Sequence, residues 1–154
     1  MLAKEINYLL KSQNKTIAVA ESCTGGLVSK ILTDIPGSSD YFLLGIVAYS
    51  NAAKIKLLSI PKSLLSKYGA VSKPIAEKLA LNVRKLAKTD FGIGITGIAG
   101  PSGGSKEKPV GTVYGAVSSP HLETVRRFSF PGERSRVQAL AVAFVLDHVR
   151  RSLG

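Results

Sequence analysis

The chain has 154 residues, 45% of them hydrophobic and 20% charged, which is typical of one globular domain that needs no metal ion or disulfide for stability. A single cysteine excludes an internal disulfide, and the absence of a long apolar run or a signal-peptide pattern excludes a membrane span, so we expect a complete cytoplasmic protein. The net charge of +11 favours anionic partners, although a solvated basic surface explains it equally well.

An anionic partner of such a surface would be either nucleic acid or a small phosphorylated molecule. The basic residues are spread over most of the predicted helices and form no single block. Aromatic residues make up only 6% of the chain and tryptophan is absent, so no base-stacking platform is evident. A phosphorylated small molecule is therefore the favoured partner, and nucleic acid is the weakest of the alternatives.

Apolar periodicity and turn residues divide the chain into alternating helices and strands. In chain order they predict a helix over 2–12, a strand over 16–21, a helix over 27–35, a strand over 41–49, short helices over 51–58 and 62–68, a helix capped by Ser72 that ends near 88, strands over 91–96, 112–118 and 124–130, and a helix over 133–152. The spacing of the two late strands predicts a hairpin. This order predicts one α/β domain over residues 1–154, with three α/β/α layers and a mixed, mainly parallel sheet.

The first candidate site residue is Ser22, which follows a buried strand and precedes a helix. Ligands of α/β domains bind at such junctions, and the free amides of Thr24, Gly25 and Gly26 would suit an anion or oxyanion. A serine alone is more simply explained as a helix cap. The glycine pair favours a site, because glycine lowers helix propensity and permits close backbone approach. Cys23 is interpreted as a small buried residue rather than a nucleophile.

A serine nucleophile needs a base, and neither histidine is well placed to act as one. His121 lies on a turn and His148 deep in the last helix, without acidic partners at a suitable spacing, so we interpret both as surface or interface residues. Lys54 and Tyr49 follow the long strand and can point into one crevice. A neutral lysine can act as the base, with the phenol as a relay between serine and lysine. Both residue types are common at such positions, so the pattern alone favours this pair only weakly.

The loop over 97–111 contains five of the fifteen glycines and is long enough to be functional. A flexible exposed connection is the alternative interpretation. Phosphate-binding candidates in this loop are its amides, at Gly97, Gly100, Gly103 and Gly104, and the side chains of Lys106 or Lys108.

Arg134 lies in the first turn of the last helix, where a cation opposes the helix macrodipole. This placement indicates phosphate binding and a solvated arginine about equally. The segment 92–97 fits G-x-G-x-x-G, but it lies inside a strand, so it is not a dinucleotide fingerprint. No cluster has metal-ligand spacing, and we expect no metal site.

Seven segments together resemble the C-terminal domain family of the competence/damage-inducible protein CinA, in order and over nearly the whole chain. They are Ala-Glu-Ser-Cys-Thr-Gly-Gly at 20–26, Pro-Gly-Ser-Ser at 36–39, Tyr-Ser-Asn-Ala-Ala-Lys at 49–54, Gly-Ala-Val-Ser at 69–72, Thr-Gly-Ile-Ala-Gly-Pro-Ser-Gly-Gly at 96–104, Lys-Pro-Val-Gly-Thr-Val at 108–113 and Phe-Pro-Gly-Glu-Arg at 130–134.

The resemblance implies a three-layer α/β fold and hydrolysis of nicotinamide mononucleotide to nicotinate mononucleotide and ammonia, a step of pyridine-nucleotide recycling, with no metal or cofactor. It implies that Ser22 is the nucleophile, Lys54 its base, and Tyr49 the relay or the proton donor to ammonia. The glycine loop, Thr24 and Arg134 would hold the substrate. The alternative is a non-catalytic module that binds a nucleotide or a protein. We also expect a homo-oligomer, with a dimer favoured.

Overall fold

The computed structural model describes residues Met1–Gly154. The helices are α1 Leu2–Ser12, α2 Leu27–Thr33, α3 Asn51–Leu58, α4 Lys62–Tyr68, α5 Lys73–Ala87 and α6 Arg134–Leu153. The strands are β1 Ile17–Glu21, β2 Phe42–Val47, β3 Phe91–Gly97, β4 Thr112–Ser119 and β5 Leu122–Ser129. Every predicted helix and strand is present. None of the helices is both long and apolar enough to cross a membrane.

The five strands form one mixed sheet in the order β2-β1-β3-β4-β5. β1 pairs in parallel with β2 and with β3, whereas β4 pairs antiparallel with β3 and with β5. Four strands therefore run in one direction and only β4 is reversed. The predicted mixed, mainly parallel sheet is confirmed, and so is the late hairpin.

Helices cover both faces of the sheet, because alternate residues of each strand point to opposite faces. Val19 of β1 packs in one core with residues of α1, α2 and α6, including Val145. Ala18 and Ala20 pack in a second core with residues of α3, α4 and α5, including Leu79. This arrangement confirms the three-layer α/β/α fold.

The glycines of β3 allow helix α5 to pack closely on the sheet. A Cβ atom at Gly92 would overlap the carbonyl oxygen of Ala80, and one at Gly94 would overlap that of Ala76. The segment that fits G-x-G-x-x-G is thus a helix-packing surface within a strand, as its sequence context indicates.

The prediction that His148 is a surface or interface residue is wrong, because the residue is buried in the core. Its Nε2 lies 2.7 Å from Oγ1 of Thr124, and its ring stacks on Phe144. Burial, together with the nearby Arg126, lowers the pKa of the imidazole. His148 therefore acts as a core residue between β5 and α6, far along the chain from Ser22. His121 is exposed, as expected.

Candidate active site

Ser22 lies directly after β1, at the edge of the sheet where the parallel strands β1, β2 and β3 end. Its backbone N–H donates to the carbonyl of Ile95 on β3, at 3.1 Å. Strand alternation places Ser22 on the same face as Ala18 and Ala20, and therefore beneath α3 rather than α2. The carboxyl ends of parallel strands are the usual ligand-binding edge of such a sheet.

Lys54 reaches this edge from helix α3. The helix begins after Ser50, whose hydroxyl accepts from the N–H of Ala53 at 3.0 Å. Only 1% of Lys54 is exposed, and its Nζ lies 3.1 Å from Oγ of Ser22. The structure therefore brings these two predicted site residues into direct contact.

Two main-chain carbonyls complete the surroundings of the Lys54 amine. Nζ donates to the carbonyl of Ala48 at 2.9 Å and to that of Tyr49 at 3.3 Å. No carboxylate lies within ion-pair distance of this amine. Burial therefore lowers the pKa of Lys54 from its ordinary value.

These contacts orient the Lys54 amine in either protonation state. A neutral amine has two hydrogens and one lone pair, and the two carbonyls accept the two hydrogens. The lone pair is then directed at the hydroxyl of Ser22. When the amine is protonated, its third hydrogen points to the same oxygen. The Ser22–Lys54 pair can therefore exchange a proton without a histidine.

Tyr49 occupies a different position from the predicted relay. Its side chain is 56% exposed, and its phenol oxygen accepts from Nη2 of Arg134 at 2.6 Å. The phenol does not lie between Ser22 and Lys54, which are in direct contact. Only the main-chain carbonyl of Tyr49 touches the amine, so the expectation of a phenol relay between them is corrected.

A cavity of about 260 Å³ opens above the Ser22–Lys54 pair. Tyr49, Asn51 and Thr96 form part of its wall, and the glycine loop and Arg134 form the rest. A neighbouring cavity of about 710 Å³ shares Ala99 and Arg134 with it. Arg134 therefore borders both spaces. No group of three or more histidine, cysteine or acidic side chains is arranged to hold a metal ion.

The glycine loop contributes part of the predicted set to this cavity. Gly97, Gly100 and Gly103 line it, whereas Gly104 does not. Lys108 also lies outside, since its Nζ donates to the carbonyl of Tyr68 at 2.8 Å and ties the loop to α4. The prediction of direct substrate contacts therefore loses support for Gly104 and Lys108.

Free backbone N–H groups are present in the buried part of this loop. Ala99 and Gly100 are both buried, and neither N–H has an acceptor within the chain. Arg134 donates through Nη1 to the carbonyl of Gly100 at 2.7 Å and holds the loop against α6. This wall of the cavity presents hydrogen-bond donors, which suits an anionic or carbonyl oxygen.

Thr24, Gly25 and Gly26 are placed differently from the prediction. A buried carboxylate, that of Glu21, already occupies the N-terminus of α2 and accepts the hydroxyl of Thr24 at 2.6 Å. None of the three residues lines the cavity. The two glycines have positive φ angles, +61° and +104°, which explains why the turn needs them. The geometry therefore gives no support to direct substrate binding by this trio and shows that these residues shape the turn.

Cys23 lies in the core, as expected, with 5% of its surface exposed. Burial raises the pKa of its thiol to about 12, so the nucleophilic thiolate is scarce at neutral pH. Its carbonyl accepts from Nε2 of Gln138 at 2.9 Å. Gln138 on α6 and Glu21 on β1 both hold the turn that carries Ser22, and neither was a candidate from the sequence.

The chain is similar to known proteins over almost its full length. The family model described as the CinA C-terminal domain matches residues 1–153. A putative competence-damage inducible protein of Caldanaerobacter subterraneus is 50% identical over 145 residues, which are 94% of this chain and 35% of that protein. A CinA-like protein of Geotalea uraniireducens is 48% identical, over 94% of this chain and 34% of that protein. The chain thus spans about a third of the length of these relatives.

Solved structures of similar length have the same fold. The CinA superfamily protein KP700603 of Klebsiella pneumoniae has a TM-score of 0.95 at 30% identity, covering 99% of this chain and 95% of its own. The competence/damage inducible protein CihA of Agrobacterium tumefaciens has a TM-score of 0.92 at 34% identity, covering 99% of this chain and 93% of its own. The chain belongs to the CinA C-terminal domain family.

Proposed function

We propose that this member of the CinA C-terminal domain family is an amidohydrolase that converts nicotinamide mononucleotide to nicotinate mononucleotide and ammonia. One observation carries the proposal: Nζ of the buried Lys54 lies 3.1 Å from Oγ of Ser22, with two carbonyls taking its other hydrogen bonds. Such a pair is a known way to activate serine without histidine. The choice of substrate comes from the family resemblance and the positive charge of the chain.

In the first half-reaction, neutral Lys54 accepts the hydroxyl proton of Ser22 while Oγ bonds to the carboxamide carbon. The N–H groups of Ala99 and Gly100, which lie on the cavity wall without an acceptor in the chain, stabilise the oxyanion that forms. The C–N bond then breaks and the nitrogen takes a proton from Lys54. Tyr49 lines the same cavity and is a second proton donor for the departing ammonia.

In the second half-reaction, water hydrolyses the ester formed on Ser22. Lys54 is neutral again after ammonia leaves, so it can take a proton from the water as the water oxygen bonds to the acyl carbon. The ester bond breaks, and the proton held by Lys54 returns to Oγ of Ser22. The net change is one amide and one water converted to one carboxylic acid and one ammonia.

The phosphate of the substrate is assigned to Arg134. This guanidinium lies on the wall of the cavity and is partly committed to Gly100 and Tyr49 through one nitrogen each. A guanidinium carries five N–H donors, so donors remain for a phosphate. Lys108 is the poorer choice because it lies outside the cavity lining.

The test is ammonia release from nicotinamide mononucleotide by the wild type, Ser22→Ala and Ser63→Ala. Ser63 is exposed on α4, so Ser63→Ala controls for serine substitution in itself. We expect wild-type rates for Ser63→Ala and a loss of about 1,000-fold or more for Ser22→Ala. Equal rates in the two variants would remove Ser22 as nucleophile. Binding of the mononucleotide without turnover by the wild type would favour the non-catalytic alternative.

A further inference from the structure

We propose that Glu21 is a positioning residue that fixes Ser22 against Lys54 by anchoring the turn between β1 and α2. The inference rests on the proposed role of Ser22 as nucleophile. Glu21 is fully buried, with 0% exposure, and no lysine or arginine lies within ion-pair distance of its carboxylate. An isolated carboxylate is costly to bury unless hydrogen bonds replace water.

Four hydrogen bonds provide that replacement, and all of them come from residues 24–29. Oε1 accepts from the hydroxyl of Thr24 at 2.6 Å and from the N–H of Val28 at 2.9 Å. Oε2 accepts from the N–H and the hydroxyl of Ser29, at 2.9 and 2.8 Å. Each oxygen is thus held by two donors. The carboxylate ties the end of β1 to the first turn of α2.

The main chain of Glu21 connects the same turn to the lysine. Its carbonyl accepts from the N–H of Ala48 at 2.8 Å, and the carbonyl of Ala48 accepts from Nζ of Lys54. The side chain therefore holds α2, while the backbone holds the segment that orients the amine. Movement of the turn would change the position of Oγ of Ser22 relative to Nζ of Lys54.

The turn is a segment that needs such an anchor. Gly25 and Gly26 both have positive φ, and glycine gives the unrestrained chain many alternative conformations. Strand alternation puts the Glu21 and Ser22 side chains on opposite faces of the sheet, and Glu21 does not line the cavity. Glu21 therefore acts through the position of Ser22, without touching the substrate.

The direct test is Glu21→Gln, which keeps the shape but replaces one accepting oxygen with an amide that can only donate. Two of the four donors then lose their acceptor. We expect kcat to fall about 100-fold with KM changed less than about threefold, because displacement of a catalytic group by about 1 Å has an effect of this size. Thr24→Val and Ser29→Ala each remove one hydroxyl bond, so we expect smaller losses of kcat in the same direction.

The matched control is Tyr41→Phe, which removes a hydrogen bond at the opposite end of α2, from a residue just before β2. The buried phenol of Tyr41 donates to the carbonyl of Leu32 at 3.0 Å, so the variant loosens α2 without touching the turn. We expect it to lower the melting temperature but to leave kcat within about twofold of wild type. This comparison separates positioning of Ser22 from general loss of stability.

A second readout is independent of the substrate. A fluorophosphonate reacts with activated serines, and peptide mass spectrometry locates the adduct at Ser22. We expect the labelling rate to fall in Glu21→Gln, Thr24→Val and Ser29→Ala in parallel with kcat, and to stay unchanged in Tyr41→Phe. If wild type is labelled at Ser22 but releases no ammonia from nicotinamide mononucleotide, the proposed substrate fails and labelling alone decides the role of Glu21.

Two results would overturn the inference. One is a folded Glu21→Gln with wild-type kcat and labelling rate. The other is a Tyr41→Phe that loses as much kcat as Glu21→Gln at an equal drop in melting temperature, since the effect would then be one of stability. If Glu21→Gln does not fold, unchanged labelling in both Thr24→Val and Ser29→Ala overturns the inference in the same way.

Discussion

Replacing Lys54 with methionine should make the free energy of unfolding depend less on pH. The side chain is almost fully buried, and burial lowers the pKa of its amine below the ordinary value of 10.5. Unfolding exposes the amine and restores the ordinary pKa. Between the two pKa values, the unfolded chain therefore binds more protons at this position than the folded chain does.

The sign and the magnitude follow from proton linkage. Because the unfolded state binds the extra proton, the free energy of unfolding of the wild type rises with pH in this window. The limiting slope for one group is about 1.4 kcal/mol per pH unit. The pH-dependent stability that comes from Lys54 is fully present above pH 10.5, and it is lost as pH falls through the lowered pKa of the folded state. A methionine side chain cannot titrate, and its contacts in the variant do not depend on pH, so the difference between the two proteins isolates Lys54.

The assay is urea denaturation of wild type, Lys54→Met and Lys56→Met at several pH values below 10.5, the ordinary pKa of the amine, because burial places the window on that side. Lys56 is exposed on the same helix and provides the matched control. We expect the free energy of unfolding of the wild type to rise relative to that of Lys54→Met as pH rises. The difference in free energy of unfolding between the wild type and Lys56→Met should not change with pH. A flat or inverted difference for Lys54→Met would refute the argument that the amine is destabilised by burial.

Three further changes test other parts of the molecule. Arg134→Ala should raise KM for nicotinamide mononucleotide at least about tenfold with little change in kcat, and an unchanged KM in the ammonia assay would contradict the phosphate assignment. Cys23 should resist maleimide in the native protein at about pH 8 and react after denaturation, since burial raises its pKa to about 12, and rapid native labelling would contradict this. Gly94→Ala should lower the free energy of unfolding by about 1–3 kcal/mol in urea denaturation, because its Cβ overlaps the carbonyl of Ala76, and wild-type stability would show that α5 can move away.

The fold could be predicted because local patterns determine most of its elements. Short apolar runs indicated most of the strands, and periodic apolar residues indicated the first and last helices. The clearest difference is the start of β5, predicted at 124 and observed at Leu122. The cause is a turn of only two residues, Pro120 and His121, since Ser119 pairs directly with Leu122. Leu122 and Glu123 come directly after the Pro120-His121 turn and form no apolar run, so only the pairing partner reveals them as strand.

The sequence predicts which site residues meet at the ends of the parallel strands. It does not predict side-chain contacts between residues that lie far apart in the chain. Ser22 and Lys54 follow successive parallel strands, and such strand ends meet at one edge. The phenol of Tyr49 could not be placed, because its partner Arg134 lies 85 positions away in the chain. His148 was misjudged for the same reason, since Thr124 on another element is its partner.

The two buried charged side chains of this site lie on opposite faces of β1, and this separation has a chemical consequence. Glu21 faces α2, where four hydrogen bonds stabilise its carboxylate, whereas Lys54 extends from α3 on the other face and contacts oxygens of Ser22, Ala48 and Tyr49. If they paired, the carboxylate would stabilise the ammonium form and raise the pKa of Lys54, which would oppose the effect of burial. The sheet separates the carboxylate of Glu21, which anchors the turn, from the amine of Lys54. The end of β1 therefore carries the anchor of the Ser22 turn on one face, and helix α3 brings a lysine without a carboxylate partner to Ser22 on the other.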